Sequence, residues 1–166
     1  MLLKPKIKLN RITDITPDLL ARYGIRSLLL DVDNTLSTHH GQMLTDGLPE
    51  WLAKMQGCGV RMLVLSNSKE KRVAPFAKKI GLDYISMALK PLPFRFWAAL
   101  KKAGSRRRDT AIVGDQIFTD VLGGHLAGVK TILLTPILPE TSASFRFKRA
   151  IERAVIRLYH IQNTEE

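Results

Sequence analysis

Short apolar runs alternate with amphipathic, helix-like stretches along most of the chain, and this alternation restricts the fold more than any other feature. It is typical of α/β domains built on a parallel sheet. The segments predicted as strands are 25–32, 60–65, 83–86, 110–113 and 130–134, and those predicted as helices are 49–56, 69–80, 91–103 and 117–127. The sequence therefore predicts one compact α/β unit of five strands and four helices.

Polar residues follow the first four predicted strands. They are Asp31, Asp33, Asn34 and Thr35 after the first strand, Ser66 and Asn67 after the second, Lys90 after the short third, and Asp115 and Asp120 after the fourth. The carboxyl ends of parallel strands meet at one edge of a sheet, where ligands bind. These residues are therefore predicted to form one site.

The carboxylates in this set suit phosphate chemistry. Asp31 and Asp33 are two residues apart at a strand end, so both can point the same way. One can attack phosphorus while the other protonates the leaving oxygen and then activates water. Two such charges about 4 Å apart repel by roughly 4 kcal/mol at an effective dielectric of 20, so a cation is needed. Asp115 and Asp120 can complete an oxygen-ligand site for Mg²⁺.

The remaining polar residues of the set can bind the phosphoryl group. Lys90 offers a fixed positive charge, and Ser66 offers a hydroxyl donor. Asn67 and Thr35 are predicted as further donors. The alternatives are structural: Asp120 can stabilise a helix N-terminus, and Ser66 and Asn67 can be ordinary turn residues.

Four motifs in order make the chain resemble the haloacid dehalogenase (HAD) phosphatase superfamily. They are DVDNT from Asp31, Ser66 in LSNS, Lys90 in LKP, and GDQIFTD from Gly114, within residues 25–136. The resemblance implies a three-layer α/β/α Rossmann-like sandwich around a central parallel sheet. It implies Asp31 as nucleophile and Asp33 as acid/base. It also implies Mg²⁺ held by Asp31, the Asp33 backbone carbonyl and Asp115, with Asp120 in or beside that shell.

The short spacings between the motifs resemble those of the capless subclass III enzymes, because neither gap before Lys90 can hold a cap domain. Within that subclass the chain is similar to the YqeG-like branch, through segments such as SNSKEKRVAPFAKKIG and GDQIFTDVLGGHLAGVKTILLTPI. That branch is similar to phosphatidylglycerophosphate phosphatases. The resemblance therefore implies that the substrate is a lipid with a phosphorylated headgroup, phosphatidylglycerophosphate. Its hydrolysis would give phosphatidylglycerol and phosphate.

The pattern changes after Pro136, so we predict a phosphatase domain over 1–140 and an appended basic amphipathic helix over 141–166. On a helix, one apolar stripe would hold Phe147, Ala150, Ile151, Ala154, Val155 and Leu158, beside Arg146, Arg149, Arg153 and Arg157. We hypothesise that residues 145–159 meet an anionic membrane surface. Packing of this stripe on its own domain, or on a partner, is the alternative.

The formal net charge of +11 favours an anionic partner. No apolar run reaches the roughly 20 residues that span a bilayer, no signal peptide is expected, and the single Cys58 excludes an intrachain disulfide. The expected location is cytoplasmic, at the inner face of the membrane if the lipid hypothesis holds. Alternative functions are a phosphatase acting on a protein, nucleotide or sugar phosphate, and a basic RNA-binding or ribonucleoprotein-binding protein. The oligomeric state and the roles of His39 and His40 stay open.

Overall fold

The computed structural model describes residues 1–37, 43–138 and 143–164. It contains one six-stranded sheet, in which every strand pair is parallel and the strand order is β1-β6-β5-β2-β3-β4. The strands are β1 Ile7–Leu9, β2 Ser27–Leu30, β3 Arg61–Leu65, β4 Tyr84–Ile85, β5 Thr110–Gly114 and β6 Lys130–Leu134. The helices are α1 Pro17–Arg22, α2 Leu48–Gly57, α3 Glu70–Ile80, α4 Phe94–Lys102, α5 Leu122–Ala127 and α6 Ala143–Leu158. The predicted parallel α/β fold is confirmed.

Helices cover both faces of the sheet, because successive strand residues point to opposite faces. Leu28 and Leu30 of β2 pack in one core cluster with residues of α1, α2 and α3. Leu29 packs in a second cluster with residues of α4 and the end of α5. Both faces are buried, which explains why the strands are continuous apolar runs rather than alternating ones. The molecule is therefore a three-layer α/β/α sandwich.

The prediction of five strands and four helices was incomplete at the N-terminus. β1 is a sixth strand, paired in parallel with β6 through Ile7 and Ile132, and α1 follows it. β1 has only three residues with a lysine at its centre, so its own sequence is a weak strand signal. Its position depends on pairing with β6, more than 120 residues away in sequence.

The other predicted elements are present with shifted ends. The first predicted strand, 25–32, shrinks to Ser27–Leu30, while the predicted 130–134 is β6 without change. The predicted helix 91–103 begins only at Phe94, with Pro93 at its N-cap. The predicted helix 117–127 is divided into a π-helical turn, Ile117–Val121, and α5. α3 ends where predicted, because Gly81 adopts the left-handed conformation (φ +69°) that glycine tolerates best.

Helix α6 packs on the domain through a face that includes only Val155 of its predicted apolar stripe. Val155 and Ile156 pack against Ile117, Val121 and Leu133. Glu152 is buried, whereas Phe147, Ile151 and Leu158 are exposed. The predicted domain boundary at 140/141 lies outside the described residues. Within the described ranges, no helix combines the length and the apolar character needed to cross a membrane.

Candidate active site

Three buried carboxylates and one lysine converge at the carboxyl edge of the sheet. The Nζ atom of Lys90 lies 2.8 Å from Asp31 Oδ1 and 2.6 Å from Asp120 Oδ1. Asp31, Asp115 and Asp120 each offer a carboxylate oxygen within 4.8 Å of the others. The sequence prediction placed these four residues in one site, and the structure brings them together.

The order of the strands explains this convergence. β2, which precedes Asp31, lies between β3 and β5 at the centre of the sheet, and β5 precedes Asp115. The backbone N–H of Asp31 donates to the Val113 carbonyl at 2.9 Å, so these two strand ends are in register. A Cβ on Gly114 would lie 2.2 Å from the Asp120 carboxyl carbon, so only glycine leaves room for that carboxylate. At the end of β5, Gly114 therefore makes space for the Asp120 carboxylate, and the next residue, Asp115, supplies a second one.

The charges in this cluster shift the pKa values of its members. Burial raises the pKa of Asp31 to about 7, with Lys90 opposing the rise and the Asp120 carboxylate adding to it. Burial also raises the pKa of Asp115 well above its ordinary value, although Arg149 lowers it. For Lys90, burial lowers the pKa, but Asp120 and Asp31 outweigh burial and the net shift is upward. Lys90 is therefore a permanent cation, whereas Asp31 needs positive charge nearby to be fully ionised at neutral pH.

The carboxylate cluster fits a divalent cation. Its oxygens are the hard ligands that Mg²⁺ prefers. Across the parts of the chain that the structure describes, the buried Oδ1 atom of Asp115 has no hydrogen-bond partner, which normally costs free energy. A cation bound by Asp31, Asp115 and Asp120 would satisfy this oxygen and offset the charge that Lys90 and Arg149 leave uncompensated. The Asp33 carboxylate is not in this group, and its backbone carbonyl as a ligand stays a prediction.

Asp33 is held beside the cluster by two residues that the sequence reasoning missed. Its Oδ2 atom accepts a hydrogen bond of 2.7 Å from the Ser68 hydroxyl, and its Oδ1 atom accepts one of 2.9 Å from Arg72 Nε. Arg72 also contacts this oxygen through Nη2. Arg72 lies in the first turn of α3, just after the Ser66 segment. Arg72 lies six residues after Ser66, a predicted phosphate-binding residue, and this short spacing could have identified it from the sequence.

The predicted phosphate-binding residues occupy the same edge with different roles. The Ser66 hydroxyl is buried and accepts the Ser68 N–H at 3.2 Å. Asn67 uses both amide atoms on Lys90: it accepts the Lys90 N–H at 2.7 Å and donates to the Lys90 carbonyl at 3.1 Å. Asn67 thus positions the lysine. The Thr35 hydroxyl is buried, and among the described residues it finds no partner, so it is available to a ligand oxygen.

Arg149 of helix α6 is the second cation that the sequence reasoning did not assign to the site. Its Nη2 atom forms an ion pair with Asp115 Oδ2, and its Nη1 atom donates to the Asp115 carbonyl at 2.7 Å. Nη1 also donates to Glu152 at 2.8 Å, and the other Glu152 oxygen accepts the Ile117 N–H at 2.9 Å. The C-terminal helix is therefore attached directly to a residue of the carboxylate cluster.

Two clefts open beside this edge. One, of about 580 Å³, has a mixed lining of Asn10, Arg11, Ile12, Thr13, Thr35, Met43, Leu44, Thr45, Asp46, Leu134, Thr135, Pro136 and Ile137. The other, of about 870 Å³, lies along α6 and is lined by Lys8, Thr135, Pro136, Arg146, Phe147, Arg149, Ala150, Glu152, Arg153 and Ile156. Four of these ten residues are basic. Both clefts thus offer apolar as well as polar surface, and the one along α6 adds several basic residues.

Three other residues singled out in the sequence are not placed in this site. His39 and His40 lie outside the described residues. Cys58 is exposed at the end of α2, and β3 begins at its amino end only three residues later, so Cys58 lies at the opposite edge of the sheet from the carboxylates.

Comparison with known proteins agrees with the motifs. A family model described as HAD-hydrolase-like matches residues 88–136, which include Lys90, Asp115 and Asp120. The chain is 34% identical over 157 residues to the "Probable phosphatase YqeG" of Bacillus subtilis, covering 92% of this chain and 91% of that protein. This match extends through almost the whole molecule.

Solved structures with the same fold are more distant in sequence. NagD from Escherichia coli K-12 superposes with a TM-score of 0.56 at 17% identity, over 69% of this chain and 90% of that chain. The cobalt-bound deoxy-D-mannose-octulosonate 8-phosphate phosphatase of Haemophilus influenzae superposes with a TM-score of 0.54 at 16% identity, over 81% of this chain and 89% of that chain. At such identities the likeness concerns the fold alone.

Proposed function

The chain belongs to the HAD-like phosphatase family and is YqeG-like, and from this premise we propose that it is a Mg²⁺-dependent phosphatidylglycerophosphate phosphatase with an aspartyl-phosphate intermediate. The observation that carries the chemistry is the contact of Lys90 with Asp31 and Asp120 beside Asp115 at one edge of the sheet. Three separate segments of the chain, after β2, β4 and β5, supply an attacking carboxylate, a fixed cation and oxygen ligands for a metal.

The reaction has two steps, and each needs both of the first two carboxylates. The Asp31 carboxylate attacks phosphorus, forming an acyl phosphate as the ester P–O bond breaks and Asp33 gives a proton to the leaving oxygen. Asp33 then takes a proton from water, whose oxygen attacks the acyl phosphate and releases phosphate and free Asp31. Arg72 and Ser68 hold Asp33 in place through both of its oxygens.

Charge at the reacting phosphoryl group comes from Lys90 and from the metal. Mg²⁺ bound by Asp31, Asp115 and Asp120 would neutralise part of the negative charge of the phosphoryl oxygens. Lys90 lies close enough to Asp31 to oppose the upward shift of its pKa and to contact a phosphoryl oxygen there. The backbone of Lys90 is fixed by Asn67, so this cation is positioned before substrate arrives.

The two clefts support a lipid substrate rather than a small metabolite. Phosphatidylglycerophosphate carries a phosphomonoester, a phosphodiester and two acyl chains, so it has both anionic and apolar parts. The cleft along α6, which combines four basic residues with apolar ones, and the mixed cleft beside Thr35 support a ligand with both kinds of part. The connections from β2 to β3 and from β3 to β4 each contain a single helix in the described ranges, which supports an open site without a cap domain.

The decisive assay is phosphate release from phosphatidylglycerophosphate in mixed micelles, with Mg²⁺ and with EDTA. A panel of soluble nucleotide, sugar and protein phosphates at equal concentration is the comparison. We expect kcat/KM for the lipid to exceed that for any soluble ester by about 100-fold, since several contacts are lost with the smaller esters. Equal or faster turnover of a soluble ester would overturn the lipid assignment while leaving the phosphatase chemistry in place.

A further inference from the structure

A short loop next to Lys90 exposes apolar side chains to an unusual degree. In this apolar loop (residues 87–94), Met87, Leu89, Leu92 and Phe94 are 44%, 58%, 49% and 64% exposed. Ala88 and Lys90, which alternate with the first two, are buried. Soluble surfaces tolerate scattered apolar residues, but such a concentration on one segment marks an interaction site.

The hydrogen bonds of the site itself force these side chains outward. The N–H groups of Met87 and Ala88 donate to the Ser68 and Ser66 carbonyls at 3.0 and 2.9 Å, and Asn67 holds the Lys90 backbone. The backbone of Met87 (φ +47°) and Leu89 (φ +53°) is left-handed, which is unfavourable for large L side chains. Placing Lys90 inside therefore requires its apolar neighbours to face solvent.

A second apolar surface lies on helix α6. Phe147, Ile151 and Leu158, the outer stripe, are 71%, 41% and 71% exposed. The opposite side of the helix is held against the domain by Arg149 and Glu152. The outer stripe is therefore directed away from the core of its own domain, whereas Val155 of the predicted stripe packs against that core.

The apolar loop and the outer stripe are both attached to the same carboxylate cluster. The loop places Lys90 on Asp31 and Asp120, and α6 places Arg149 on Asp115. Each exposed apolar segment therefore begins within a few residues of the catalytic edge. A surface that contacts both segments and carries phosphate groups would bring those groups beside Asp31.

The charges around both segments are basic. Residues 87–108 contain no aspartate or glutamate, and α6 contains only Glu152, which is buried and paired with Arg149. Arg95, Arg146, Arg153 and Arg157 are exposed beside the apolar side chains. This combination opposes contact with a second copy of the chain, because like charges would meet. It fits an anionic lipid surface, which offers an apolar interior beneath negative headgroups.

We infer that the apolar loop and the outer stripe dock the catalytic edge onto an anionic lipid bilayer. This deepens the proposed function, since it explains how a phosphate on a lipid headgroup reaches Asp31, but the binding itself does not depend on turnover. Docking by two segments on one edge would also set the orientation of the site toward the membrane. The bilayer would then cover the open site in the way that a cap domain covers other sites.

The test is sedimentation of the full chain with vesicles of equal parts phosphatidylcholine and phosphatidylserine, with pure phosphatidylcholine as the charge control. The loop variant is Leu89→Asn, because asparagine tolerates the left-handed backbone at that position. The helix variant is Phe147→Gln with Ile151→Gln. The matched control is Leu126→Gln, which is 45% exposed at the end of α5, near the opposite edge of the sheet. Thermal unfolding verifies that each variant is folded.

We expect the wild type to bind the anionic vesicles. The loop variant and the helix variant should each lower the partition coefficient about tenfold, since each removes apolar surface that the bilayer would bury. Leu126→Gln should bind like the wild type. Equal binding by all variants, or no binding by the wild type, would overturn the inference. Tighter binding to a single-stranded RNA that Leu89→Asn leaves unchanged would also overturn it and favour a nucleic-acid surface. Vesicle binding without phosphatidylglycerophosphate hydrolysis would reject the proposed substrate alone.

Discussion

The carboxylate edge and helix α6 arrange polar and apolar groups in opposite ways. At the edge, Asp31, Lys90 and Asp120 are buried and pair with one another. On α6, the outer stripe of apolar residues is exposed, while Glu152 is buried. Burying charge is unfavourable unless it is paired, and exposing apolar surface is unfavourable unless something covers it. At the edge the pairing is incomplete, since three carboxylates lie together and the buried Asp115 Oδ1 has no hydrogen-bond partner among the described residues. Both regions therefore carry an unfavourable feature, and each can be tested for the function that it serves.

The largest effect is expected from Asp31→Asn. Because the amide cannot attack phosphorus, Mg²⁺-dependent phosphate release should fall by about 10⁴-fold or more. Asp18→Asn, at an exposed carboxylate in α1, is the control and should retain activity. The measurement is steady-state phosphate release on the best substrate, with circular dichroism to verify the fold. If Asp31→Asn kept its activity, the carboxylate edge would not be the catalytic site.

The next effect is expected from Lys90→Met. This change keeps the length of the side chain but removes the cation between Asp31 and Asp120, so kcat should fall by about 10³-fold. Lys102→Met, at an exposed lysine of α4, is the matched control. The measurement separates kcat from KM. A change in KM alone would mean that Lys90 binds the ground state of the substrate and does not stabilise the transition state.

Arg149→Met sharpens the comparison, because Arg149 joins the two regions. Removing one partner of a buried ion pair should lower the free energy of unfolding by about 3 kcal/mol in the absence of metal. The loss should shrink when Mg²⁺ is saturating, since a bound cation replaces the lost charge at Asp115. Urea unfolding with and without Mg²⁺ measures both values, with the exposed Arg153→Met as control. If the free energy of unfolding fell by the same amount with and without Mg²⁺, Arg149 would have no energetic coupling to the metal site.

A smaller effect concerns pH. The pKa of Asp31 is about 7 in the folded, metal-free protein, against about 3.9 in the unfolded chain. Between these values the folded protein holds a proton that the unfolded chain has lost, so the stability of the metal-free protein falls as pH rises from about 4 to about 7. Mg²⁺ binds the ionised carboxylate and should therefore raise Tm more at about pH 8 than at about pH 5.5. In Asp31→Asn, the difference between the Mg²⁺-induced rises in Tm at the two pH values should be smaller. If Mg²⁺ raised the Tm of the wild type equally at both pH values, the raised pKa of Asp31 would be contradicted.

The sequence predicted the residues at strand ends and failed where position depends on long-range packing. Asp31, Ser66, Lys90 and Asp115 follow strands closely, so the parallel sheet places them together once the strands are recognised. Arg72 and Arg149 reach the site from helices, and their direction depends on how each helix is rotated against the domain. β1 was missed because its three residues are stabilised by β6 rather than by their own pattern.

Helix α6 illustrates the same limit from the other side. Its period predicted a helix and an apolar stripe correctly, yet the pattern left open whether the stripe faces the domain, a partner or a membrane. The structure buries Glu152 and orients Phe147 outward, because Arg149 is drawn to the buried Asp115. A pairing of charges distant in sequence, together with the packing of Val155 and Ile156, thus sets an orientation that the apolar stripe alone did not predict.

The covalent intermediate on Asp31 is the central claim, and it can be trapped. The wild type and Asp33→Asn are mixed with Mg²⁺ and an aryl phosphate, whose leaving group departs without a proton from Asp33, then quenched in acid and treated with borohydride. With this ester, Asp33→Asn should form the acyl phosphate but hydrolyse it only slowly. Borohydride reduces an aspartyl phosphate to homoserine, which mass spectrometry locates in the chain. The proposed mechanism predicts homoserine at position 31, in greater amount in Asp33→Asn. Phosphate release with no modified residue, or with modification at another aspartate, would contradict it.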